Sequence, residues 1–338
     1  MTRQDEAICK EAEKMYDTTK PYISEVLNII RSTWKTPHLE VVTADGHTPF
    51  LAKKFTHPDG IPHMDGIGTK GVYYWRSQAY EAAAWDAFVQ NINDVPYEVP
   101  YALTAHIMLP ADDRAAILGI THGLADACRA HDVAYVGGET AIHDTMEGLE
   151  IGVTLLSFVP ELRRNTLCIG DALIGIGSNG LHASGFTLVR SRLDYHDESL
   201  KPYFTRPTPS YWSVLRMIDR IWSVHGWMHI AGGAFTRLWR IMPQNADVVI
   251  VRTHALEPQV VFHRLFNEGV SDKEMYRTFN CGVGYVVGVS RSHAEACADF
   301  IRYKGFRAAI IGEVIDGTGA VIVESKFSRR TITYGSFV

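Results

Sequence analysis

The chain has 338 residues, 46% hydrophobic and 21% charged, which is ordinary globular usage and excludes a disordered or fibrous protein. A formal net charge of -5 gives no electrostatic reason to expect nucleic acid or an anionic membrane as a partner. Five cysteines (Cys9, Cys128, Cys168, Cys281 and Cys297), odd in number and without a C-x-x-C pair, favour reduced thiols in a cytoplasmic setting over a disulfide or zinc framework.

The length suits two domains, and the polar, turn-rich stretch Pro160 to Gly170 divides them, giving residues 1–160 and 161–338. The amino terminus alternates acidic and basic residues to Lys14 and lacks the apolar core of a secretory signal. No apolar run reaches the length of a membrane span.

Asp5 to Ser32 reads as helical, with an interruption at Pro21. Two extended segments, Leu39 to Thr43 and Phe50 to Phe55, flank a turn-prone Ala44-Asp45-Gly46-His47. They lead to His63-Met64-Asp65-Gly66-Ile67-Gly68-Thr69-Lys70. In this turn the glycines let backbone N–H groups approach oxygens, Lys70 brings a positive charge, and Asp65 can hold a metal, so it can cradle a phosphate ester. A simple chain reversal uses the same residues.

Val72 to Ile92 has one helix-compatible apolar pattern, ending at Asn91-Ile92-Asn93-Asp94. On an unbroken helix Asp86 and Asp94, eight apart, share nearly one face. Asp94 at the C-terminal end opposes the helix dipole, so it is either a solvated end or a metal ligand. Tyr101 to Leu109, Asp112 to His131 and Val133 to Val136 read as strand, helix and strand, which implies an α/β layer. The second strand is expected to end at Gly137-Gly138-Glu139-Thr140, where Glu139 either completes a metal site or sits on a surface turn. Leu149 to Val159 is a further apolar strand.

In the second half, Asp171 to Gly177 reads as a strand opening into Ser178-Asn179-Gly180-Leu181-His182-Ala183-Ser184-Gly185, with a helix from Phe186. Strand, glycine-rich loop and helix N-terminus together make an anion site, with His182 as a hydrogen-bond or proton donor or as a mere capping residue. Tyr211 to Val224 is helical and Trp227 to Gly233 is a short strand closing on Gly232-Gly233. Strands are also expected at Val248 to Val251, up to Val289, at Phe306 to Ile311 and at Ala320 to Val323. Helices are expected at Pro258 to Asn267, Ser271 to Thr278 and Ser292 to Lys304, before a basic, aromatic tail. The whole is a mixed α/β (α+β) chain with no low-complexity segment or short-period repeat.

The ordered set DGIGTK, IND, VGGET, SNGLHASGFTLVR, HIAGG and EMYRTFNCGVG, from about Ile61 to Val289, resembles the aminoimidazole ribonucleotide synthetase (phosphoribosylformylglycinamidine cyclo-ligase, PurM) family. The resemblance implies a two-domain PurM-like fold that dimerises through its N-terminal sheet, with ATP in a long cleft. It implies magnesium and nucleotide binding by Asp65, Asp94 and Glu139, and nucleotide or phosphate contacts from Gly66, Gly68, Thr69, Lys70, Gly137, Gly138 and Thr140. Substrate contacts fall to Ser178, Asn179, Gly180, His182, Ser184, Gly232 and Gly233, and catalytic roles to Lys70 and His182.

The implied reaction is ATP-dependent closure of formylglycinamidine ribonucleotide to aminoimidazole ribonucleotide in a cytoplasmic homodimer. A monovalent cation is left open. Two stretches depart from the family: the loop Asp45 to Phe50 has one glycine and a proline, and His182-Ala183-Ser184-Gly185 replaces His-Ser-Asn-Gly, removing an amide. Alternatives are another ATP-using member of the superfamily, resembling thiamine-monophosphate kinase, and a nucleotide-binding paralogue without turnover.

Overall fold

The structure, a computed structural model, describes residues 22–43 and 49–335. The first part of the expected N-terminal helix and most of the departing loop at residues 45–50 therefore lie outside the described residues.

The chain opens with helix α1 (Ile23–Arg31), then a hairpin of β1 (Leu39–Thr43) and β2 (Pro49–Lys53). β3 (His63–Gly66) follows. The long helix expected from Val72 is in fact two, α2 (Lys70–Ser77) and α3 (Tyr80–Asp94). Gln78 stands between them with φ 55°, a left-handed conformation that no helix continues through. Next come β4 (Val99–Leu109), α4 (Arg114–Ala130), β5 (Ala134–Ile142) and β6 (Glu150–Phe158). Asp113 starts α4 by accepting from the backbone N–H of Ala115 and Ala116.

These strands form a four-stranded sheet in the order β3-β6-β4-β5, parallel only between β4 and β5. α3 and α4 cover one face through Phe88, Ile92, Ile120 and Leu124. On β4, Thr104 and His106 point to the other face and are exposed. β5 does not stop at Gly137 as expected but runs through both glycines to Ile142. A Cβ on Gly138 would strike the Ala105 backbone of β4, so close strand pairing accounts for that glycine.

The second half contains β7 (Asp171–Gly177), α5 (Phe186–Arg192), α6 (Lys201–Thr205), α7 (Trp212–Asp219), β8 (Val224–His229), a 3-10 helix (Ala234–Ile241) and β9 (Ala246–Ile250). It continues with α8 (Val260–Asn267), α9 (Asp272–Thr278), β10 (Val283–Ser290), α10 (Ala294–Tyr303), β11 (Ala308–Asp316), β12 (Val321–Glu324) and β13 (Thr331–Tyr334). The seven-stranded sheet has the order β13-β12-β9-β11-β7-β10-β8. The tail read as merely basic and aromatic supplies its edge strand. β7 is central and buried along its whole length, which is why it reads as an uninterrupted apolar run.

The halves share side chains. Val72 and Tyr73 of α2 belong to the core of the second half, with Tyr73 packed on Phe186 and Phe204.

Candidate functional site at the junction of the two halves

The turn after β3 is a compact structure with its amides already engaged. Asp65 Oδ1 accepts from the backbone N–H of Gly66 at 2.7 Å, and Glu150 Oε1 accepts from that of Ile67 at 3.0 Å. Burial pushes the Glu150 carboxyl up, while the N–H groups of Gly68 and Ile67 pull it back down. A Cβ on Gly66 would collide with Glu150, so this glycine makes room for an internal carboxylate. Asp65 itself is exposed.

Lys70 does not face a phosphate. Its ammonium is completely buried, 2.5 Å from Asp86 Oδ2 and 2.7 Å from the carbonyl oxygens of His182 and Arg206. Asp86 also accepts from the Tyr74 hydroxyl and the Thr208 N–H, both at 2.6 Å. Burial lowers the Lys70 pKa and Asp86 opposes that shift. The reading of Lys70 as a charge at the mouth of a phosphate loop is therefore corrected: α2 begins at this residue and directs it inward, where it ties the first half to two loops of the second.

Asp94, at the end of α3, also reaches across. Its carboxylate accepts from His229 Nδ1 at 2.8 Å and from Arg237 Nη2 at 2.7 Å. Burial works to raise its pKa, but the His229 hydrogen bond and the Arg237 charge outweigh burial and hold it well below the usual carboxylate range. The dipole penalty at a helix C-terminus is met by the Arg237 guanidinium and the His229 ring of the other half.

His182 is buried with φ 60°, its Nε2 3.2 Å from the Tyr211 hydroxyl. Tyr211 Oη also lies 3.2 Å from the Gly177 carbonyl oxygen. If the hydroxyl proton goes to that carbonyl, Nε2 carries the imidazole hydrogen and Nδ1, which has no partner, is a bare acceptor. Burial, reinforced by neighbouring His229 and Lys70, holds His182 neutral, well below its ordinary pKa. The ring is buried, while the three residues that follow it, Ala183, Ser184 and Gly185, line a cavity between the halves.

A cavity of about 360 Å³ opens between the halves. Asp65, Gly66, Gln90 and Asp94 line it from one side, and Ala183, Ser184, Gly185, Ala231, Gly232, Arg237 and Arg240 from the other. Arg237 and Arg240 also border a neighbouring cavity of about 510 Å³ that contains Gly232, Gly233 and Thr236. The two arginines lie three apart on the 3-10 helix that follows Gly233 at φ 84°. Sequence reading passed over both; the signal was a cation repeated at helical spacing directly after a glycine pair.

The structure thus brings Asp65, Gly66, Asp94, Ser184, Gly232 and Gly233 to connected cavities. It does not bring Ser178, Asn179 or Gly180 there: the Ser178 carbonyl accepts from Gln259 Nε2, Asn179 Nδ2 donates to the Pro207 carbonyl, and the Gly180 carbonyl accepts from Asn280 Nδ2. Gly68 is exposed, and Thr69 Oγ1 meets Thr187 Oγ1 at 3.0 Å across the junction.

Gly137, Gly138, Glu139 and Thr140 lie on the opposite edge of the four-stranded sheet from Asp65. Glu139 is in register with His106, Gly152 and Gly66, three strand spacings or roughly 14 Å from the Asp65 strand. One chain cannot close Asp65, Asp94 and Glu139 on a single ion. That part of the metal reading is corrected.

Residues 56–159 match the N-terminal domain, and residues 169–324 the C-terminal domain, of the AIR synthase related protein family. The phosphoribosylformylglycinamidine cyclo-ligase of Thermococcus kodakarensis is 30% identical over 270 residues, covering 75% of this chain and 79% of that protein. The protein of the same name from Cupriavidus pinatubonensis is 29% identical over 286 residues, covering 78% and 81%. Among solved structures, hydrogenase maturation protein HypE in complex with ATP superposes with a TM-score of 0.65 at 16% identity, covering 94% of this chain and 95% of that one. Thiamine-monophosphate kinase from Stenotrophomonas maltophilia K279a gives 0.63 at 18% identity, covering 92% and 98%. At those identities the structures speak for the fold. The sequence matches go further: the chain belongs to the phosphoribosylformylglycinamidine cyclo-ligase family, a family of ATP-dependent ligases, and is an enzyme.

Proposed function

We propose that the protein closes the imidazole ring of aminoimidazole ribonucleotide from formylglycinamidine ribonucleotide with consumption of ATP. The observation that carries this reading is the cavity at the junction, where carboxylates of one half face arginines and a glycine-rich loop of the other. Such a site suits two anionic reactants that must be held against each other.

In this reaction the formyl amide oxygen attacks the γ-phosphorus and ADP leaves. The neighbouring nitrogen then attacks the activated carbon, phosphate departs, and the nitrogen proton passes to solvent. The chain supplies position and charge. Arg240 is exposed, and among the described residues no hydrogen bond or ion pair holds its guanidinium, so it is free to take the phosphate of the ribonucleotide. Arg237 and Asp94 set the cavity wall, and Ser184 offers a hydroxyl on the loop that replaces the family's amide.

Magnesium fits Asp65, whose exposed carboxylate leaves oxygen sites for a hard cation that otherwise keeps waters and phosphates as ligands. When bound it supplies charge neutralisation for the transferring phosphoryl group. Glu139 joins such a site only from a second copy packed against the uncovered face of the four-stranded sheet. Exposed Thr104, His106 and Met64 on that sheet support a homodimer through it. The described cysteines are all free thiols, and no helix among the described residues is long and apolar enough to cross a membrane, which supports a cytoplasmic enzyme.

The test is an assay with purified protein, magnesium, ATP and formylglycinamidine ribonucleotide. ADP, phosphate and the imidazole product should appear together. ATP binding without substrate-dependent product overturns the proposal.

A further inference from the structure

We infer that Cys168, Asp171 and His225 form a transition-metal site of the zinc class, remote from the cavity at the junction. One donor atom from each lies within 4.8 Å of the others, the only such grouping of three among the described residues. A tetrahedral zinc shell holds its donors about 3.5 Å apart, so the three side chains must adjust around an ion, and the Cys168 thiol is exposed.

Three features of the backbone build this arrangement. Cys168 and Asp171 are locked in one turn: the Asp171 N–H donates to the Cys168 carbonyl at 3.0 Å, and Asp171 Oδ2 accepts from the Cys168 N–H at 2.8 Å. Gly170, with φ 91°, allows the reversal. His225 is the extra residue of a β-bulge, because the pairing steps from Gly226 opposite Gly288 to Val224 opposite Val289. Asp171 on β7 must reach across β10 to touch β8, and it does so over Gly288, where a Cβ would abut the carboxylate and strike Leu167.

The charge balance points the same way. Asp171 is 2% exposed, and among the described residues no lysine or arginine pairs with it. Its partner is His225 Nδ1 at 2.8 Å. A buried carboxylate held by one backbone N–H and one imidazole, with no full cation beside it, still has lone pairs to offer a metal ion. Thiol, imidazole and carboxylate together are the borderline-soft donor set that selects zinc over magnesium or calcium. On binding, the Cys168 thiol loses its proton to solvent and the thiolate becomes the ligand. The exposed side leaves the fourth position to water.

The site lies at the start of β7, whereas the loop beside the proposed reaction cavity follows its end, roughly 20 Å along the strand. It is therefore separable from magnesium at Asp65, and its failure would say nothing against the cyclo-ligase reading. The sequence gives little sign of it, since positions 168, 171 and 225 match no ligand spacing.

Cobalt titration of the full-length protein tests the site. One equivalent of Co²⁺ should produce a thiolate-to-metal charge-transfer band in the near ultraviolet, and Zn²⁺ should displace it. Cys168→Ser should abolish the band, and His225→Gln should weaken cobalt binding at least about tenfold. Cys168 is exposed, so its serine variant should keep the thermal transition of the parent. Absence of the band with excess Co²⁺, or a band that persists in Cys168→Ser, overturns the proposal.

Discussion

Lys70 Nζ and Asp86 Oδ2 stand 2.5 Å apart with both side chains wholly buried, at the place where the two halves of the enzyme meet. Removing one member of such a pair strands a charge, a loss of about 3–5 kcal/mol. Asp86→Ala should therefore lower unfolding stability by about that amount in urea titration. The double change Lys70→Met with Asp86→Leu should recover much of it, because no charge is left unpaired. A single-variant loss below about 1 kcal/mol would contradict the buried pair.

Asp94 carries two consequences. As a wall of the cavity, Asp94→Asn should reduce turnover by about a hundredfold or more in the coupled ADP assay. As a carboxylate held below its ordinary pKa, it contributes stability that is fully present above the unfolded value, about pH 4, and is lost as pH falls towards the lower folded value. Denaturant titrations below about pH 4 should show a shallower dependence of stability on pH in Asp94→Asn than in the parent. Equal slopes would argue against the clamp by His229 and Arg237.

His254 should act in the pH range just above. Burial, aided by Lys326, pushes its pKa down to about 4 from 6.5, and its Nδ1 accepts from the Leu256 N–H at 3.2 Å. The unfolded chain takes up this proton first, so stability should fall between about pH 6.5 and pH 4 and level off below, a loss of order 2–3 kcal/mol. His254→Gln should flatten that interval in denaturant titrations. A parent protein with no loss there would refute the neutral buried ring.

Arg240 separates binding from fold. It is exposed and borders the cavities at the junction, so Arg240→Ala should raise the KM for the ribonucleotide about tenfold, roughly 1.4 kcal/mol, with thermal stability unchanged. Arg240→Lys should restore part of it through charge alone. An unchanged KM would place the phosphate elsewhere.

The elements of the fold were legible wherever side chains follow one period. Buried β7 was found at its true limits as an unbroken apolar run. The break at Gln78 was not legible, because a left-handed glutamine has no compositional mark. The C-terminal strand was hidden by exposed polar residues alternating with Ile332 and Tyr334 at a sheet edge. In the site, residue types announced chemistry but not direction. Lys70 belonged to a motif that suggested a phosphate, whereas its helix turns it inward onto Asp86. Asp94 read as an open ligand because His229 and Arg237 are 135 and 143 positions away. Glu139 was grouped with Asp65 by motif order, which carries no information about strand order.

Tyr73 is encoded in the first half yet sits in the core of the second, beside Phe186 and Phe204. A swinging of the halves about a hinge would have to extract this ring, break Lys70 from two carbonyls and part Asp94 from His229 and Arg237. Opening and closing over bound reactants thus falls to short loops at the rim, and the two halves should melt in a single calorimetric event.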